Sequence, residues 1–441
     1  MKNTKWVCVL FTVVGVICGV GLLSCNMFKS HGDKKMKVTV EVPIANILRT
    51  LAANSTDSVF YKSMALAEVS ATTANDDFLL LFEKAWNRLA PNAHLYSVFM
   101  LNLDQKVKFN STNAEVLQVL SQQIDQTIDQ TIANIENRLN QMDAKIVSLQ
   151  KLNKRGRFVV ELEDVAFPEQ VLKTISMNAR LEFWETYDNK DIYSLMEQAN
   201  KKAKAISDKE TQTQTNITQN KPQADTTEFG LAKNTTVEQF AIDNPLFAYL
   251  QPAITQDKKG NYYLNQGPVV GFCKMADTAK VNQLLHQAQI ALVFPPQLRF
   301  AWSAKPLNTN NELLQLLALK ATRDGKPTLE GAPYITDSRV EYNDQKQIEI
   351  MMSMNAEGAA KWRKITANNI GKSVAILLDD YVYCYPTVQG EIPNGNSSIS
   401  GNFTEAEAKN LARVIKAGRL PSQTNIVDVV IMDKNGTIIK Q

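Results

Sequence analysis

The chain has 441 residues, of which 44% are hydrophobic, and a formal net charge of +3. This length and apolar fraction fit about two or three globular domains. The near-balanced charge, without a basic stripe or interleaved aromatic residues, excludes a nucleic-acid-binding surface.

The five cysteines do not form a disulfide framework. Cys8, Cys18 and Cys25 lie in or beside the N-terminal apolar run, which leaves Cys273 and Cys384 for the folded part. These two either form one bridge or act as small buried apolar residues.

The N-terminus carries the only apolar run of about eighteen residues in the chain. Lys2 and Lys5 precede the uncharged run WVCVLFTVVGVICGVGLL, and the polar sequence NMFKSHGDKK follows Cys25. Export signals typically have a positively charged start, an apolar centre and a small residue near the cleavage site. Residues 22–25 (LLSC) resemble a bacterial lipobox, so we expect Cys25 to be lipidated. The alternative is an uncleaved membrane helix. Either way, we expect a membrane-anchored protein of the bacterial cell envelope with its soluble body in the periplasm.

The first half of the body alternates strands and helices. Residues 36–43 alternate apolar and polar side chains and predict a strand, and residues 78–90 predict an amphipathic helix. The longest helical pattern covers residues 116–146, whose second face is Gln, Asn and Asp. It lacks paired charges at the flanking heptad positions, which favours a core-packed helix over a coiled coil.

A ferredoxin-like order follows from the next elements. Strands are predicted at 145–151, 157–162 and 180–185, with a helix from Pro168 between the last two. Together with the first strand they give the order β-α-β-β-α-β. The polar stretch 210–228 then marks a linker, because it has too few apolar residues to bury.

The second half predicts hairpins around a helix at residues 356–368. One hairpin covers residues 338–354 and another covers 373–388, with Asp379 and Asp380 in its turn. Thr404 and Glu407 form a capping box for a helix that ends at Gly418, and a hairpin with an Asn-Gly turn follows.

The predicted fold class is α+β, with a ferredoxin-like base domain and a smaller α+β head of hairpins and packed helices. The predicted units are a signal or single anchor (1–25), a base (37–208), a polar linker (209–229), a head (230–402), and a C-terminal helix with a terminal hairpin that returns to the base (403–441).

No catalytic motif is present. The chain has no G-x-S-x-G, P-loop, G-x-G-x-x-G or Cys-x-x-Cys sequence. The three histidines, His31, His94 and His286, are far apart, which favours solvated side chains over a metal cluster. Asp379 and Asp380 suit a turn better than acid–base catalysis. We therefore expect no enzyme, no catalytic residue, no metal and no cofactor.

The sequence YVYCY places Tyr381, Tyr383 and Tyr385 on one strand face by alternation. Two interpretations remain open: cross-strand packing, and a contact surface for extended polypeptide. On the second interpretation, Pro386 and Ile392 join the tyrosines as candidate binding residues, on the hairpin 373–388 and the loop 389–400.

Three stretches resemble SecD, a component of the SecDF complex that assists the bacterial Sec translocase. They are LEFWETYDN (181–189), MNAEGAAKWRKITANNIGKSVAILLDDYVYCYPTVQGEIPNG (354–395) and ISGNFTEAEAKNLARVIKAGRLP (399–421). The resemblance implies a periplasmic base domain with a mobile head inserted into it. The head is expected to contact emerging preprotein.

The sequence departs from the SecD pattern at several points. HGDKKMKVTV lacks the Gly pair expected at the first base strand, and NRLNQMDAKIVSLQK keeps an arginine, Arg138, but not the following Gly-Val. After AGRLP, where the family continues with membrane helices that carry proton-relay carboxylates, this sequence gives SQTNIVDVVIMDKNGTIIKQ.

We therefore expect an exported SecD-like accessory protein without its own proton-conducting membrane part. Its expected partners are unfolded or translocating polypeptide and Sec translocase subunits, and it would be tethered to a membrane by a lipid or by one helix. The alternative is an envelope structural or interaction lipoprotein that reuses the fold for an unrelated partner.

Overall fold

The computed structural model describes residues 34–52, 55–74, 76–103, 106–142, 145–214, 237–307, 312–401 and 403–440. None of the helices within these residues is both long enough and apolar enough to cross a membrane. The predicted signal segment with Cys25 lies outside the described residues, as does the predicted linker beyond Gln214.

The helices differ widely in length, from single turns to the long helix α5. They are α1 (Ile44–Leu51), α2 (Ser58–Ala71), α3 (Phe78–Leu89), α4 (Tyr96–Phe99), α5 (Asn113–Asn140), α6 (Pro168–Ser176), α7 (Asn189–Gln214), α8 (Val237–Asp243), α9 (Thr278–His286), α10 (Ala288–Ala291), α11 (Ala356–Asn368) and α12 (Glu405–Ala417).

The strands are short and mostly antiparallel. They are β1 (Lys34–Glu41), β2 (Lys145–Lys151), β3 (Arg157–Val165), β4 (Leu181–Thr186), β5 (Gln251–Pro252), β6 (Ile254–Gln256), β7 (Tyr262–Leu264), β8 (Val269–Lys274), β9 (Leu298–Trp302), β10 (Leu313–Lys320), β11 (Leu329–Glu330), β12 (Ile335–Tyr342), β13 (Ile348–Met354), β14 (Val374–Leu378), β15 (Tyr381–Cys384), β16 (Asn396–Ser400), β17 (Asn425–Met432) and β18 (Ile438–Lys440).

The first sheet has the order β18-β17-β1-β3-β2. Apart from the short edge strand β18, this is four antiparallel strands with α5 between β1 and β2 and α6 after β3, a ferredoxin-like arrangement. The predicted α+β class is confirmed.

The strand that completes this sheet is not the one that the sequence predicts. The stretch 180–185 is predicted as the fourth strand of the base, but β4 pairs with β10, β11 and β14 in another sheet. The fourth position belongs to β17, whose Asn425 and Met432 pair with Glu41 and Lys35 of β1. The prediction is wrong because a local apolar pattern identifies a strand but not its partner.

Helices α1 to α6 pack in one apolar cluster with the inner face of this sheet. Helix α5 places an apolar stripe against it, including Leu120, Ile124 and Ile135, all fully buried. The other face is polar: Lys35 pairs with Glu163 at 3.2 Å and Lys37 with Glu161 at 2.9 Å. The sheet therefore has one covered face and one open face, as is common for antiparallel sheets.

The second sheet contains β15-β14-β4-β10-β8-β5, and it curls back on itself. Strand β9 pairs with β10, and just beyond β9 the amide of Ala304 donates to the carbonyl oxygen of Val382 in β15 at 2.8 Å. This contact encloses an apolar cluster made almost entirely of strand residues, including Trp184, Leu317 and Leu377.

The outer face of the second sheet packs in two regions. Helices α7, α9 and α10 pack near β8, β9 and β10. Helices α11 and α12 and the sheet β12-β13-β16 pack against β4 and β14. The predicted hairpins are confirmed as β12–β13 and β14–β15, and the capping box of α12 is confirmed at Thr404 and Glu407.

The chain crosses between two units at neighbouring points. We define the base as residues 34–176 with 425–440, the head as residues 181–417, and the connecting segments as residues 177–180 and 418–424. The hydroxyl of Thr424 donates to the carbonyl oxygen of Ile175 at 2.8 Å. The amide of Leu420 donates to the carbonyl oxygen of Asn178 at 2.8 Å. The head is thus inserted between α6 and β17.

Candidate functional site at the base–head junction

A buried arginine of the base holds both connecting segments. The Arg138 guanidinium, in the last turn of α5, donates to the carbonyl oxygens of Met177 at 2.5 Å and Gly418 at 2.5 Å. Two longer bonds, at 3.3 Å, reach Thr174 and Asn178. Arg138 is fully buried, and this burial lowers its pKa to about 10, an effect that the charge of Asp379 opposes.

A turn of the head fixes the first connecting segment from the other side. Asp379 and Asp380 have φ values of 51° and 71° and form the β14–β15 turn. The Asp379 carboxylate accepts hydrogen bonds from the amides of Arg180 at 2.8 Å and Ala179 at 3.2 Å. The turn interpretation of this aspartate pair is confirmed, and its carboxylate orders the segment that leads out of the base.

A buried carboxylate lies beside this turn. The Glu182 side chain accepts a hydrogen bond from the indole of Trp184 at 2.9 Å and pairs with Arg180 at 3.1 Å. Arg180 also pairs with Asp380. Burial raises the pKa of Glu182, and the charges of Asp380 and Glu330 act in the same direction, while Trp184 and Arg180 oppose them.

A narrow cleft separates helix α6 of the base from the head. Tyr383 stacks on Phe403 with ring centroids 6.3 Å apart, and the Lys305 ammonium lies 5.0 Å from the Phe403 ring. Met177 and Leu411 contribute apolar side chains. The cavity is about 40 Å³, far below the size of a typical small-molecule site.

Two polar contacts complete the junction. The Thr174 hydroxyl of α6 donates to the side-chain oxygen of Asn410 in α12 at 2.7 Å, and both residues are buried. Lys305 pairs with Glu407 at 2.9 Å. Helix α12 is therefore tied to the base on one side and to the curled sheet on the other.

The structure does not place the three candidate tyrosines on one face. In the β14–β15 ladder, Cys384 opposes Ile376 and Val382 opposes Leu377, so Tyr383 is the extra residue of a β-bulge. Tyr383 packs in the cluster with α12, whereas Tyr385 packs inside the curled sheet. The single-face prediction is wrong because the bulge breaks the alternation.

Only part of the predicted surface is open to solvent. Tyr381 is 52% exposed and Pro386 is exposed. Tyr385 is half-buried and shares a hydrogen bond with Gln315 at 3.1 Å. Ile392 is half-buried against the core, and its amide donates to the Thr366 hydroxyl at 3.0 Å. A binding role for these residues stays a prediction, as does lipidation of Cys25, which lies outside the described residues.

Sequence reasoning found Arg138 only as a residue of the SecD resemblance, without a role. It missed Lys305 and Phe403, because Lys305 reaches Phe403 and Glu407 only through the packing of segments about 100 residues apart. A usable signal for Phe403 was its place just before the capped helix α12, where an apolar residue often packs.

Histidine and cysteine side chains are the remaining candidates for chemistry among the described residues. Within the described ranges, no group of three or more His, Cys, Asp or Glu side chains could hold a metal ion. Cys273 and Cys384 are free, and burial raises the pKa of each to about 12. His94 is exposed and stacks on Tyr96, and His286 is exposed on α9.

Comparison with known proteins gives matches to SecD and SecDF. The family model described as "SecDF, P1 head subdomain" matches residues 317–422. The protein translocase subunit SecD of Rhodothermus marinus is 32% identical over 393 residues, which is 89% of this chain and 60% of the relative. The resemblance to SecD is confirmed.

Other SecD matches are shorter. SecD of Sebaldella termitidis is 39% identical over 107 residues, 24% of this chain and 26% of the relative. A solved structure of SecDF in a super-membrane-facing form is 20% identical, with a TM-score of 0.37, and the match covers 70% of this chain and 28% of that chain. The chain thus spans about 60% of the length of the Rhodothermus SecD, and about a quarter of the Sebaldella SecD and of the super-membrane-facing SecDF chain.

Proposed function

We propose that this chain is an exported accessory subunit of protein translocation that binds extended polypeptide or Sec translocase components. The proposal is supported by the similarity to SecD, which the relatives' names describe as a protein translocase subunit. It assigns binding to these residues, not catalysis, and needs no cofactor. Membrane attachment, through a lipid at Cys25 or a retained helix, is part of the proposal.

The base–head junction carries this proposal. Arg138 and Asp379 hold the connecting segment from opposite sides, so the orientation of the head depends on a few contacts. Tyr381, 52% exposed, directly follows the turn that contains Asp379. A polypeptide that binds at Tyr381 would therefore contact the same hairpin that sets the head's orientation.

The groups of the β14–β15 hairpin that remain accessible determine how a polypeptide could bind it. The carbonyl oxygen of Val382 already accepts from Ala304, so β15 does not offer a continuous free backbone edge. The predicted loop 389–400 is shorter than expected, because residues 396–400 form strand β16 and pair with β13. We infer that Tyr381, Pro386 and residues 389–395 bind an extended chain through side chains. Aromatic and proline surfaces suit this task because they are rigid and lose little conformational entropy on binding.

Affinity purification of the tagged full chain from its native envelope tests the proposal. Recovery of Sec subunits or unprocessed preprotein, reduced by the double variant Tyr381→Ser/Pro386→Ser, is the expected result. The matched control is Tyr262→Ser, which changes a similarly exposed tyrosine elsewhere on the head. Recovery of only unrelated envelope proteins would favour the alternative, a structural or interaction lipoprotein that reuses the SecD fold.

A further inference from the structure

Strand β11 of the second sheet consists of only two residues, Leu329 and Glu330. It pairs antiparallel with β4. Leu329 is 5% exposed and packs in the apolar cluster that includes α11 and α12, whereas Glu330 is exposed to solvent. Because few backbone hydrogen bonds hold β11, it can separate from β4 at a lower free energy than the unfolding of the whole sheet.

Two carboxylates lie opposite each other in this pairing. Glu330 of β11 is the direct partner of Glu182 in β4. The amide of Gly331 donates to the carbonyl oxygen of Leu181 at 2.7 Å. The hydrogen bond thus belongs to the flanking pair, and the two glutamates form a non-hydrogen-bonded pair, in which side chains are closer together. Like charges directly opposite each other destabilise such a pairing.

The charged groups that face Glu182 come from three neighbouring elements. Arg180, two residues earlier in the chain, pairs with Glu182 at 3.1 Å and also with Asp380 of the β14–β15 turn. Glu330 adds a negative charge from β11, whereas β14 places the uncharged Leu377 opposite Glu182. One guanidinium is thus shared by two carboxylates, while a third carboxylate faces Glu182 across the sheet.

Glu182 keeps its proton to a higher pH than an ordinary glutamate. Burial of its side chain, which is 6% exposed, is the largest influence and raises its pKa. Asp380 and Glu330 raise this pKa further, while Trp184 and Arg180 lower it. As the pH rises through the folded-state value, the folded chain loses this proton and a negative charge appears opposite Glu330.

We propose that Glu182 and Glu330 form a proton-dependent latch on β11. With a proton on Glu182, the pair carries one negative charge and β11 stays on β4. Loss of that proton to the solvent places two charges opposite each other, so β11 separates more often while the rest of the sheet stays formed. Separation uncovers the backbone edge of β4 next to the connecting segment 177–180. The latch does not depend on polypeptide binding, so its failure would leave the proposed function untouched.

Hydrogen exchange of the full chain from pH 4 to pH 8 tests the latch. The Gly331 amide reports separation of β11, because it donates to Leu181 across the pairing. The Ala304 amide, which donates to Val382 where the sheet curls back on itself, reports opening of the sheet as a whole. Protection factors, the intrinsic exchange rate divided by the observed rate, remove the pH dependence of the exchange chemistry itself.

In the parent, the protection factor of Gly331 should fall with rising pH by about three- to fivefold more than that of Ala304, as expected for like charges opposite each other in a sheet. Glu182→Gln should remove this excess fall. Glu330→Gln should reduce it, because the facing charge is gone while Glu182 still ionises. Glu357→Gln, at the exposed start of α11, is the matched control and should behave like the parent.

Three outcomes would overturn the latch. Equal changes at Gly331 and Ala304 would mean that pH acts only on the stability of the whole sheet. An excess fall that persists in Glu182→Gln would place the titrating group elsewhere. An excess fall in Glu330→Gln as large as in the parent would refute the role of the facing charge. Circular dichroism confirms that each variant is folded, and Glu330→Gln, at an exposed position, keeps the test decisive if Glu182→Gln does not fold.

Discussion

Arg138 donates a hydrogen bond to the carbonyl oxygen of Gly418, a residue 280 positions later in the chain. The same guanidinium reaches Met177 on the outgoing segment. One side chain of the base thus holds the chain where it leaves for the head and where it returns. Its planar fork allows this, because two of its nitrogens donate in different directions.

Arg138→Lys should lower the free energy of unfolding by about 2 to 4 kcal/mol. A single ammonium cannot replace the two-sided fork, so at least one buried carbonyl loses its charged donor. Urea titration measures the change. The matched control is Arg88→Lys on the exposed surface of α3, where we expect less than about 0.5 kcal/mol. Equal effects in the two variants would refute the role assigned to Arg138.

Arg138→Lys should loosen the two connecting segments more than it loosens the core of the base. Hydrogen exchange at the amides of Leu420 and Ala179, which bond to Asn178 and Asp379 respectively, should accelerate more than exchange in the core of the base. Uniform acceleration over the whole chain would mean that Arg138 contributes to general stability alone.

Glu182→Gln should make the head more stable at neutral pH than at acidic pH, relative to the parent. The folded-state pKa of Glu182 is raised by burial. The native state therefore binds this proton more tightly than the unfolded chain. The associated stability is present below the ordinary glutamate pKa and is lost as the pH rises through the folded-state value.

Glutamine removes this titration and keeps an oxygen for the Trp184 indole. Urea titrations from pH 4 to pH 8 give the difference between variant and parent at each pH. A difference that does not change with pH would contradict the sign argued here. Glu357→Gln on the exposed start of α11 is a control that lacks this burial.

Gly358→Ala should destabilise the head by about 1 to 3 kcal/mol, the usual range for overpacking. A Cβ at this buried position would lie 2.6 Å from the Tyr334 Cβ and 3.1 Å from the Met354 Cβ. Gly390→Ala is the control, because no atom lies within 4 Å of its added Cβ. Thermal unfolding of Gly358→Ala and Gly390→Ala measures the difference in stability. Equal unfolding midpoints for the two variants would show that α11 can shift to accommodate the added Cβ without loss of stability.

Tyr381→Ala should weaken binding of an extended polypeptide more than about fivefold, equivalent to roughly 1 kcal/mol. Tyr381 is 52% exposed and belongs to none of the buried apolar clusters, so truncation should leave the core intact. Fluorescence anisotropy of a labelled, unfolded preprotein segment gives the affinity. Tyr262→Ala, 59% exposed in the parent, should leave it unchanged. If both variants bind like the parent, the hairpin is not the contact surface.

Local sequence was sufficient where one element decides its own structure. The Thr404 and Glu407 capping box and the apolar stripe of α5 depend on residues within a few turns, and both predictions are confirmed. The predicted helix 116–146 extends too far, because α5 stops at Asn140, whereas the strand predicted at residues 145–151 is confirmed as β2. Ile146 fits the apolar stripe of a helix as well as the alternation of a strand. Periodicity alone therefore does not show where α5 ends.

The candidate site depended on pairing that local sequence does not encode. The bulge at Tyr383 adds one residue to a ladder and moves Tyr385 to the other side of the sheet. Likewise, Arg138 stands in the last turn of an amphipathic helix, where a basic residue usually interacts with the helix dipole. Its burial follows only from the two segments that fold over it.

The base receives its final strand very late. Ile175 and Thr424, which are hydrogen-bonded at the junction, are 249 residues apart. During synthesis, one side of β1 therefore stays unpaired until the entire head has emerged, and an exposed strand edge invites pairing with other chains. Maturation of this protein thus requires that something shield that edge, or that the head fold quickly enough to deliver β17 before a neighbouring chain takes its place.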